Sequence, residues 1–249
     1  MPPPLEQHQQ EIERNFRSWQ DKPVLQQIYA EFYDRILTLV DPSLPGKVVE
    51  IGSGIGNLKS HLPNAITTDL FPNPWLDLVC DGYELPFRPG SLSHLILFDV
   101  FHHLERPKAF LNEAARVLHP SGRLILFEHY VSWTSLPVYG LFHHEPVAWH
   151  QPIQTGEHPP APRGYYAAQG NATRVFFKQD RPGLLEGWSI FHSDVLASFT
   201  YLLSGGFSKP ALYPASCRTQ IQAVDNWLSR WPNLFGSRCL IGLERGADA

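Results

Sequence analysis

Apolar and polar positions follow two different periods along the first half of this chain. Over 24–40 an apolar side chain recurs at every fourth position, which predicts an amphipathic helix, and a more polar helix is predicted before it over 5–20. Short apolar runs follow and predict strands over 47–51, 66–68, 76–80, 95–98 and 123–127. A helix over 107–118 and shorter crossovers separate these strands. We therefore expect an α/β fold with a doubly wound, Rossmann-like, mostly parallel sheet.

The pattern is lost between Glu128 and about His192, where prolines and aromatic residues are dense. A long irregular segment inside one domain is usually functional, and we predict that it covers a substrate. Beyond it the sequence predicts helices over 193–204 and 216–231 and strands over 207–214 and 239–243. We treat 1–249 as a single domain with a helical cover, a ligand-binding core, a substrate-covering insertion and a C-terminal part of strands and helix, over 1–45, 46–128, 129–200 and 201–249.

Composition narrows the classes of function. The formal net charge is −4 over 249 residues, which argues against a nucleic-acid backbone as the main partner, because such proteins usually carry a basic surface. The three cysteines show no CxxC spacing, so neither a disulfide framework nor a cysteine zinc site is expected. We find no signal-peptide pattern and no apolar run of about 18 residues, so we expect a cytoplasmic protein without a membrane span.

The first predicted strand runs into a glycine-rich turn, Glu50-Ile51-Gly52-Ser53-Gly54-Ile55-Gly56. Glycines at this spacing let a ligand lie directly against main-chain N–H groups, although an ordinary tight turn is the alternative. Asn57 stands where a dinucleotide fingerprint needs its third small residue, which disfavours a nicotinamide oxidoreductase. The acid at Glu50 would repel a pyrophosphate but suits a ligand with an ammonium group.

Two further acids extend the argument about the ligand. Asp69 ends the second predicted strand, where a carboxylate can accept hydrogen bonds from both hydroxyls of a ribose. Asp81 ends the third, where it can accept from the exocyclic amine of adenine. A ligand with an adenosine at one end and an amino acid at the other fits S-adenosylmethionine better than NAD.

Five motifs over 47–128 resemble, in order and spacing, the class I S-adenosylmethionine-dependent methyltransferases of the type 11 group, which includes ubiquinone and menaquinone C-methyltransferases. They are the glycine turn, Thr68-Asp69-Leu70, Cys80-Asp81-Gly82 with Leu85-Pro86-Phe87, and the segments 98–104 and 113–124. The resemblance implies a seven-stranded sheet with an antiparallel last strand and S-adenosylmethionine as the cofactor. The cofactor-binding residues that it implies are Glu50, Gly52, Ser53, Gly54, Gly56, Asp69, Leu70, Asp81, Gly82, Phe98 and Asp99. The short, proline-rich crossover after Asp69 departs from the family's pattern, so we expect an unusual wall against the adenine.

Methyl transfer from a sulfonium is an in-line displacement, in which the protein supplies orientation, water exclusion and sometimes a base. The candidate bases follow the fourth and fifth strands or lie in the irregular segment: His102, His103, Glu128, His129 and His143. For His102 the alternative is packing within its loop. No metal is expected, because the histidines at 143 and 144 with Glu145 offer only adjacent spacing.

We expect a small-molecule acceptor, such as a lipid, a quinone, a sugar or another metabolite. The alternative is a catalytically silent protein that binds the cofactor as a structural or regulatory ligand, since no base is unambiguous. The atom that is methylated and the oligomeric state stay open.

Overall fold

The computed structural model of the protein describes residues 4–141, 147–160, 166–180 and 183–246. The strands are β1 (Lys47–Ile51), β2 (Ile66–Asp69), β3 (Leu78–Val79), β4 (Leu92–Phe98), β5 (Leu118–His129), β6 (Trp188–Leu196) and β7 (Arg238–Arg245). The α-helices are α1 (Pro4–Asp21), α2 (Pro23–Leu37), α3 (Pro107–Val117), α4 (Ser135–Leu141), α5 (Phe199–Leu203), α6 (Arg218–Leu228) and α7 (Pro232–Phe235). Within the described ranges, no helix combines the length and hydropathy that crossing a bilayer requires.

The strands of the described ranges form one seven-stranded sheet in the order β3-β2-β1-β4-β5-β7-β6. Pairs among β1 to β5 are parallel, whereas β7 runs antiparallel to both β5 and β6. This topology confirms the predicted fold class, including the antiparallel last strand. Because β7 runs the other way, its first residue, Arg238, lies opposite His129 at the end of β5.

Both faces of the sheet are covered, and β4 shows this at the level of single residues. Every residue of β4 is buried. Leu95 and Leu97 belong to the apolar cluster that contains α3, while Ile96 and Phe98 belong to the cluster that contains α2. Successive side chains of a strand point to opposite faces, so a central strand between two helical layers is a continuous apolar run.

The two predicted N-terminal helices form as α1 and α2. Pro23 stands at the first position of α2, where its missing N–H costs nothing. α1 lies over the glycine turn: the Phe16 ring stacks on Trp75 at 4.6 Å between centroids, and Ile12 is the side chain nearest to Gly54. Ser18 Oγ donates to the carbonyl oxygen of Phe207 at 2.6 Å and ties α1 to the C-terminal part.

Two predictions for the C-terminal half are wrong. The segment 207–214 forms turns rather than a strand, closed by the Leu212 N–H, which donates to the Leu203 carbonyl oxygen at 2.8 Å. Residues 193–196 belong to β6, so helix over 193–204 is limited to α5. β6 is an edge strand with exposed polar side chains on both faces, and it therefore lacks the apolar alternation that would reveal a strand.

The third strand is shorter than predicted, with two residues in place of five. The chain before it is held to β2 by its backbone and by a side chain. The Asp77 N–H donates to the Thr67 carbonyl oxygen at 3.0 Å, and Asp77 Oδ2 accepts a hydrogen bond from the Thr67 N–H at 2.9 Å.

Candidate functional site

The predicted acids meet at the carboxyl edge of the sheet. Glu50 lies near the end of β1, Asp69 ends β2, and Asp99 directly follows β4. Glu128 lies near the end of β5, and Asp81 comes two residues after β3. Since these strands are parallel, their ends lie along one edge, which is where open α/β sheets bind ligands.

The turn after β1 has a backbone that requires glycine. Gly52, Gly54 and Gly56 have φ values of 69°, 52° and 71°, in the left-handed region. A Cβ at Gly52 would also collide with the Val100 side chain. The Ser53 N–H donates to the Thr68 carbonyl oxygen at 2.8 Å, which fixes the turn against β2.

Glu50 is a buried carboxyl group with one oxygen that lacks a partner. It is 1% exposed, and Tyr33 Oη donates to its Oε1 at 3.3 Å. Its Oε2 has no hydrogen-bond partner within the described part of the chain. Burial raises the pKa of Glu50 to about 8, although the hydrogen bonds from Ser53 and Tyr33 lower it. A buried polar atom without a partner is costly, so Oε2 indicates a position for a donor group of a ligand.

Asp69 fixes the glycine turn from the end of β2. Its Oδ2 accepts from the Gly54 N–H at 3.0 Å, and its Oδ1 accepts from the Leu70 N–H at 2.7 Å. Both oxygens accept from main-chain N–H groups, so the carboxylate is fixed at the end of β2. The Leu70 side chain is 52% exposed beside it, at the position predicted for an adenine wall.

Asp81 shapes the turn after β3. Its Oδ1 accepts from the Tyr83 N–H at 2.8 Å, and its carbonyl oxygen accepts from the Glu84 N–H at 3.0 Å. Gly82 lies inside this turn, where a Cβ would stand 3.5 Å from the Phe110 ring. The segment predicted to hold the adenine amine is therefore a rigid turn at the same edge of the sheet.

Phe98 and Asp99 form the next part of the edge. The Phe98 ring stacks on Tyr29 of α2 at 5.0 Å between centroids. Asp99 has a φ of 57°, and its N–H donates to the Phe127 carbonyl oxygen at 2.9 Å. Burial raises the pKa of Asp99 to about 6, although the Arg238 guanidinium lowers it.

Glu128 and His102 are a buried pair. Glu128 Oε2 accepts from His102 Nδ1 at 2.9 Å, and its Oε1 accepts from the Phe101 N–H. Burial alone would raise the pKa of Glu128, but the neighbouring His102 and these hydrogen bonds lower it below its ordinary value. The carboxylate is therefore ionised near neutral pH and fixes the orientation of the imidazole.

The other predicted histidines differ in their surroundings. His129 Nδ1 lies 3.4 Å from Asp99 Oδ1, and its ring meets Tyr139 edge-on at 5.0 Å. His103 Nδ1 donates to the Tyr166 carbonyl oxygen at 3.0 Å, which turns it toward the irregular segment. His143 lies outside the described residues.

Three of the predicted bases lie close enough together to hold a metal ion. His102, Glu128 and His129 are buried, and each offers one ligand atom within 4.8 Å of the other two. Two members of this group, His102 and Glu128, are already joined by a hydrogen bond. The expectation that the site needs no metal stays a prediction.

Arg238 belongs to this site and was missed by the sequence analysis. It is fully buried at the start of β7 and forms an ion pair with Asp99. Its guanidinium carbon lies 4.4 Å from the centre of the Tyr201 ring. Among the described residues, its Nε and Nη2 have no hydrogen-bond partner. No local motif marks it, because only the antiparallel pairing of β7 brings it to this edge.

Residues 49–126 match a family model described as a methyltransferase domain. These residues run from β1 to β5 and contain all the predicted cofactor-binding residues. The match assigns a methyltransferase domain to this part of the chain, and the sheet topology agrees with the class I fold that the sequence predicted.

One protein is similar in sequence to part of the chain. A probable tRNA methyltransferase 9B of Mus musculus is 27% identical over 119 residues, which are 42% of this chain and 27% of that protein. The chain therefore matches about a quarter of the length of this relative.

The fold is similar to that of two solved methyltransferase structures. The geranyl diphosphate C-methyltransferase of Streptomyces coelicolor A3(2), solved with S-adenosylhomocysteine, has a TM-score of 0.54 and 12% identity, over 88% of this chain and 81% of that one. A geranyl diphosphate methyltransferase solved with sinefungin has a TM-score of 0.53 and 14% identity, over 87% and 78%. At this identity the likeness concerns the fold.

Proposed function

We propose that the chain transfers a methyl group from S-adenosylmethionine to a small-molecule acceptor. The observation that carries the proposal is Glu50, a buried carboxyl group directly before a left-handed glycine turn, whose Oε2 has no partner among the residues that the structure describes. In this proposal Glu50 accepts from the ammonium group of the cofactor, Asp69 accepts from the ribose and Asp81 accepts from the adenine amine. Phe98 and Asp99 line the methionine side.

The bound cofactor supplies an electrophilic methyl group, so the chain has to orient the acceptor and exclude water. α1 lies over the glycine turn and covers one side of the site. The stacked rings of Tyr29 and Phe98 form an apolar wall on the side that we assign to the methionine of the cofactor. These elements supply positioning without any acid–base chemistry.

We assign the movement of the acceptor's proton to His102 and Glu128. The ionised Glu128 accepts the Nδ1 proton, so a neutral His102 carries its basic lone pair on Nε2. A histidine held in one tautomer by a carboxylate is a competent general base near neutral pH. An acceptor with an O–H or N–H group would use this pair.

A small-molecule acceptor is supported by the net charge of −4, which does not favour binding to a polyanion. The structural neighbours are named for geranyl diphosphate, a small lipid-like molecule. The mouse relative is named for tRNA, so tRNA is the contrasting acceptor to test. A catalytically silent cofactor-binding protein is the alternative from another class.

Labelled methyl transfer tests these possibilities together. The protein is incubated with methyl-labelled S-adenosylmethionine and with lipid, small-metabolite and RNA fractions of a cell extract. We expect label in the lipid or the small-metabolite fraction. Label in RNA alone would refute the small-molecule acceptor, and cofactor binding without transfer to any fraction would favour the silent protein.

The Glu128→Gln substitution tests the proposed pair, in which Glu128 orients His102 as the base. General-base catalysis contributes about 100-fold or more to rate, so we expect a loss of this order with cofactor affinity unchanged. The exposed Glu186→Gln serves as the matched control. Full activity of Glu128→Gln would remove the pair from the mechanism.

A further inference from the structure

One surface of the molecule exposes several large apolar side chains. Trp133 is 76% exposed and Trp227 is 54% exposed, which is unusual for the largest apolar side chain. Four further residues are between 42% and 50% exposed. We call the set the tryptophan surface: Trp133, Leu136, Val224, Trp227, Trp231 and Leu234.

The members of this surface come from three chain segments that are joined by hydrogen bonds. The Trp133 N–H donates to the Asn233 carbonyl oxygen at 3.1 Å. The Leu234 N–H donates to the Trp231 carbonyl oxygen at 3.0 Å, and the Trp227 and Trp231 rings meet at 4.9 Å. The surface is therefore continuous from the start of α4 across α7 to the end of α6.

A buried acid fixes which face of α6 is turned to solvent. Asp225 is fully buried and accepts from the Phe199 N–H at 2.7 Å and the Thr200 N–H at 2.9 Å. Val224 and Trp227 are three residues apart, so they share a helix face, and that face points away from Asp225. Val224 and Trp227 are therefore exposed because the hydrogen bonds of Asp225 hold the opposite face of α6 against the protein.

The tryptophan surface adjoins the candidate site. Trp133 follows the end of β5, and Leu234 precedes the start of β7. Those two strand termini carry His129 and Arg238, which lie at the carboxyl edge of the sheet. Any partner that covers the tryptophan surface is held beside the site.

The charge around the surface differs from that of the whole chain. Residues 130–141 contain no charged side chain, and 208–237 contain Lys209, Arg218, Asp225 and Arg230. Asp225 is buried, and Arg218 is paired with Glu31 of α2. Arg230 is exposed and stands in the sequence between Trp227 and Trp231, so the tryptophan surface carries a cation although the chain carries −4 overall.

We propose that the tryptophan surface docks on the anionic face of a lipid bilayer and holds the site edge at the membrane. Tryptophan has an apolar ring and one N–H donor, which suits the boundary between headgroups and acyl chains. The exposed Arg230 adds attraction to anionic headgroups. The proposal does not depend on the proposed methyl transfer, because it concerns binding alone.

Vesicle binding tests the proposal without cofactor or acceptor. The full chain is sedimented with vesicles of phosphatidylcholine and phosphatidylglycerol, or of phosphatidylcholine alone, and tryptophan emission is recorded in parallel. We expect binding to the anionic vesicles with a blue shift of the emission. Replacing both Trp227 and Trp231 by serine should lower the partition coefficient about tenfold or more. Arg230→Gln should weaken binding to anionic vesicles and leave neutral vesicles unaffected.

The control is Val79→Ser, an exposed apolar residue on β3 at the opposite edge of the sheet, which should bind vesicles like the wild type. Circular dichroism and thermal unfolding of each variant exclude a folding defect. Absence of vesicle binding, or equal binding by the double tryptophan variant, would overturn the proposal. Dimers in light scattering that the double variant abolishes, without vesicle binding, would assign the surface to a second copy of the chain.

Discussion

Replacing Glu50 by glutamine is predicted to stabilise the protein without ligand and to weaken cofactor binding. Burial raises the pKa of Glu50 from 4.5 to about 8. A raised folded-state pKa stabilises the fold fully below pH 4.5, and this stabilisation is lost as the pH rises to about 8. At about 1.4 kcal/mol per pH unit, the loss is about 1 kcal/mol at pH 5 and about 3 kcal/mol at pH 7.

Glutamine keeps the shape of the carboxyl group and can accept the hydrogen bond from Tyr33, but it does not titrate. The stability advantage of Glu50→Gln should therefore grow with pH by these amounts. For a domain of this size, 3 kcal/mol corresponds to a rise of about 6–12 °C in Tm at pH 7. In the same variant the ammonium group of the cofactor loses its carboxylate partner.

Thermal unfolding of the wild type and Glu50→Gln between pH 5 and pH 8 measures this difference, with the exposed Glu186→Gln as control. The difference in Tm should increase steadily with pH for Glu50→Gln and stay near zero for the control. A Glu50→Gln protein that is less stable than the wild type, or whose advantage does not change with pH, would refute the assignment of Glu50 as a buried acid with a raised pKa.

Three further substitutions test other parts of the site. Gly52→Ala should cost about 1–2 kcal/mol for the left-handed backbone, and more for the collision with Val100, as measured by denaturant unfolding. Asp69→Asn should weaken cofactor binding in calorimetry by about tenfold or more, because a charged acceptor of hydrogen bonds becomes neutral; unchanged affinity would contradict the ribose role. Arg238→Met should cost about 3 kcal/mol, because Asp99, whose side chain is 22% exposed, loses its cation. Adding Asp99→Asn should recover part of that loss, and a strictly additive double variant would contradict the pairing.

The central sheet was predictable because its strands are buried on both faces. β4 is buried at every position and is apolar throughout 95–98, and the chain turns at Asp99 directly after it. Glu50, Asp69 and Asp99 could be located for the same reason, since they stand where apolar runs end. Their meeting at one edge follows from parallel pairing alone.

The edge strand β6 and the contacts that Arg238 and Tyr33 make at the site were not predictable by that reasoning. β6 is exposed on both faces, so its polar residues carry no period that distinguishes a strand from a loop. Arg238 is brought to Asp99 by the antiparallel insertion of β7 between β5 and β6, which is a long-range event. The hydrogen bond between Tyr33 and Glu50 likewise depends on how α2 packs on the sheet.

Calorimetric titration with S-adenosylmethionine in buffers of different ionisation enthalpy tests the cofactor site most directly. The pKa of about 8 means that Glu50 is mostly protonated at pH 7 in the free protein, and the ammonium group of the cofactor requires the ionised form. We predict binding with the release of close to one proton from Glu50 at pH 7, and no such release in Glu50→Gln. Absence of binding by the wild type, or equally tight binding by Glu50→Gln without any change in proton release, would contradict the account.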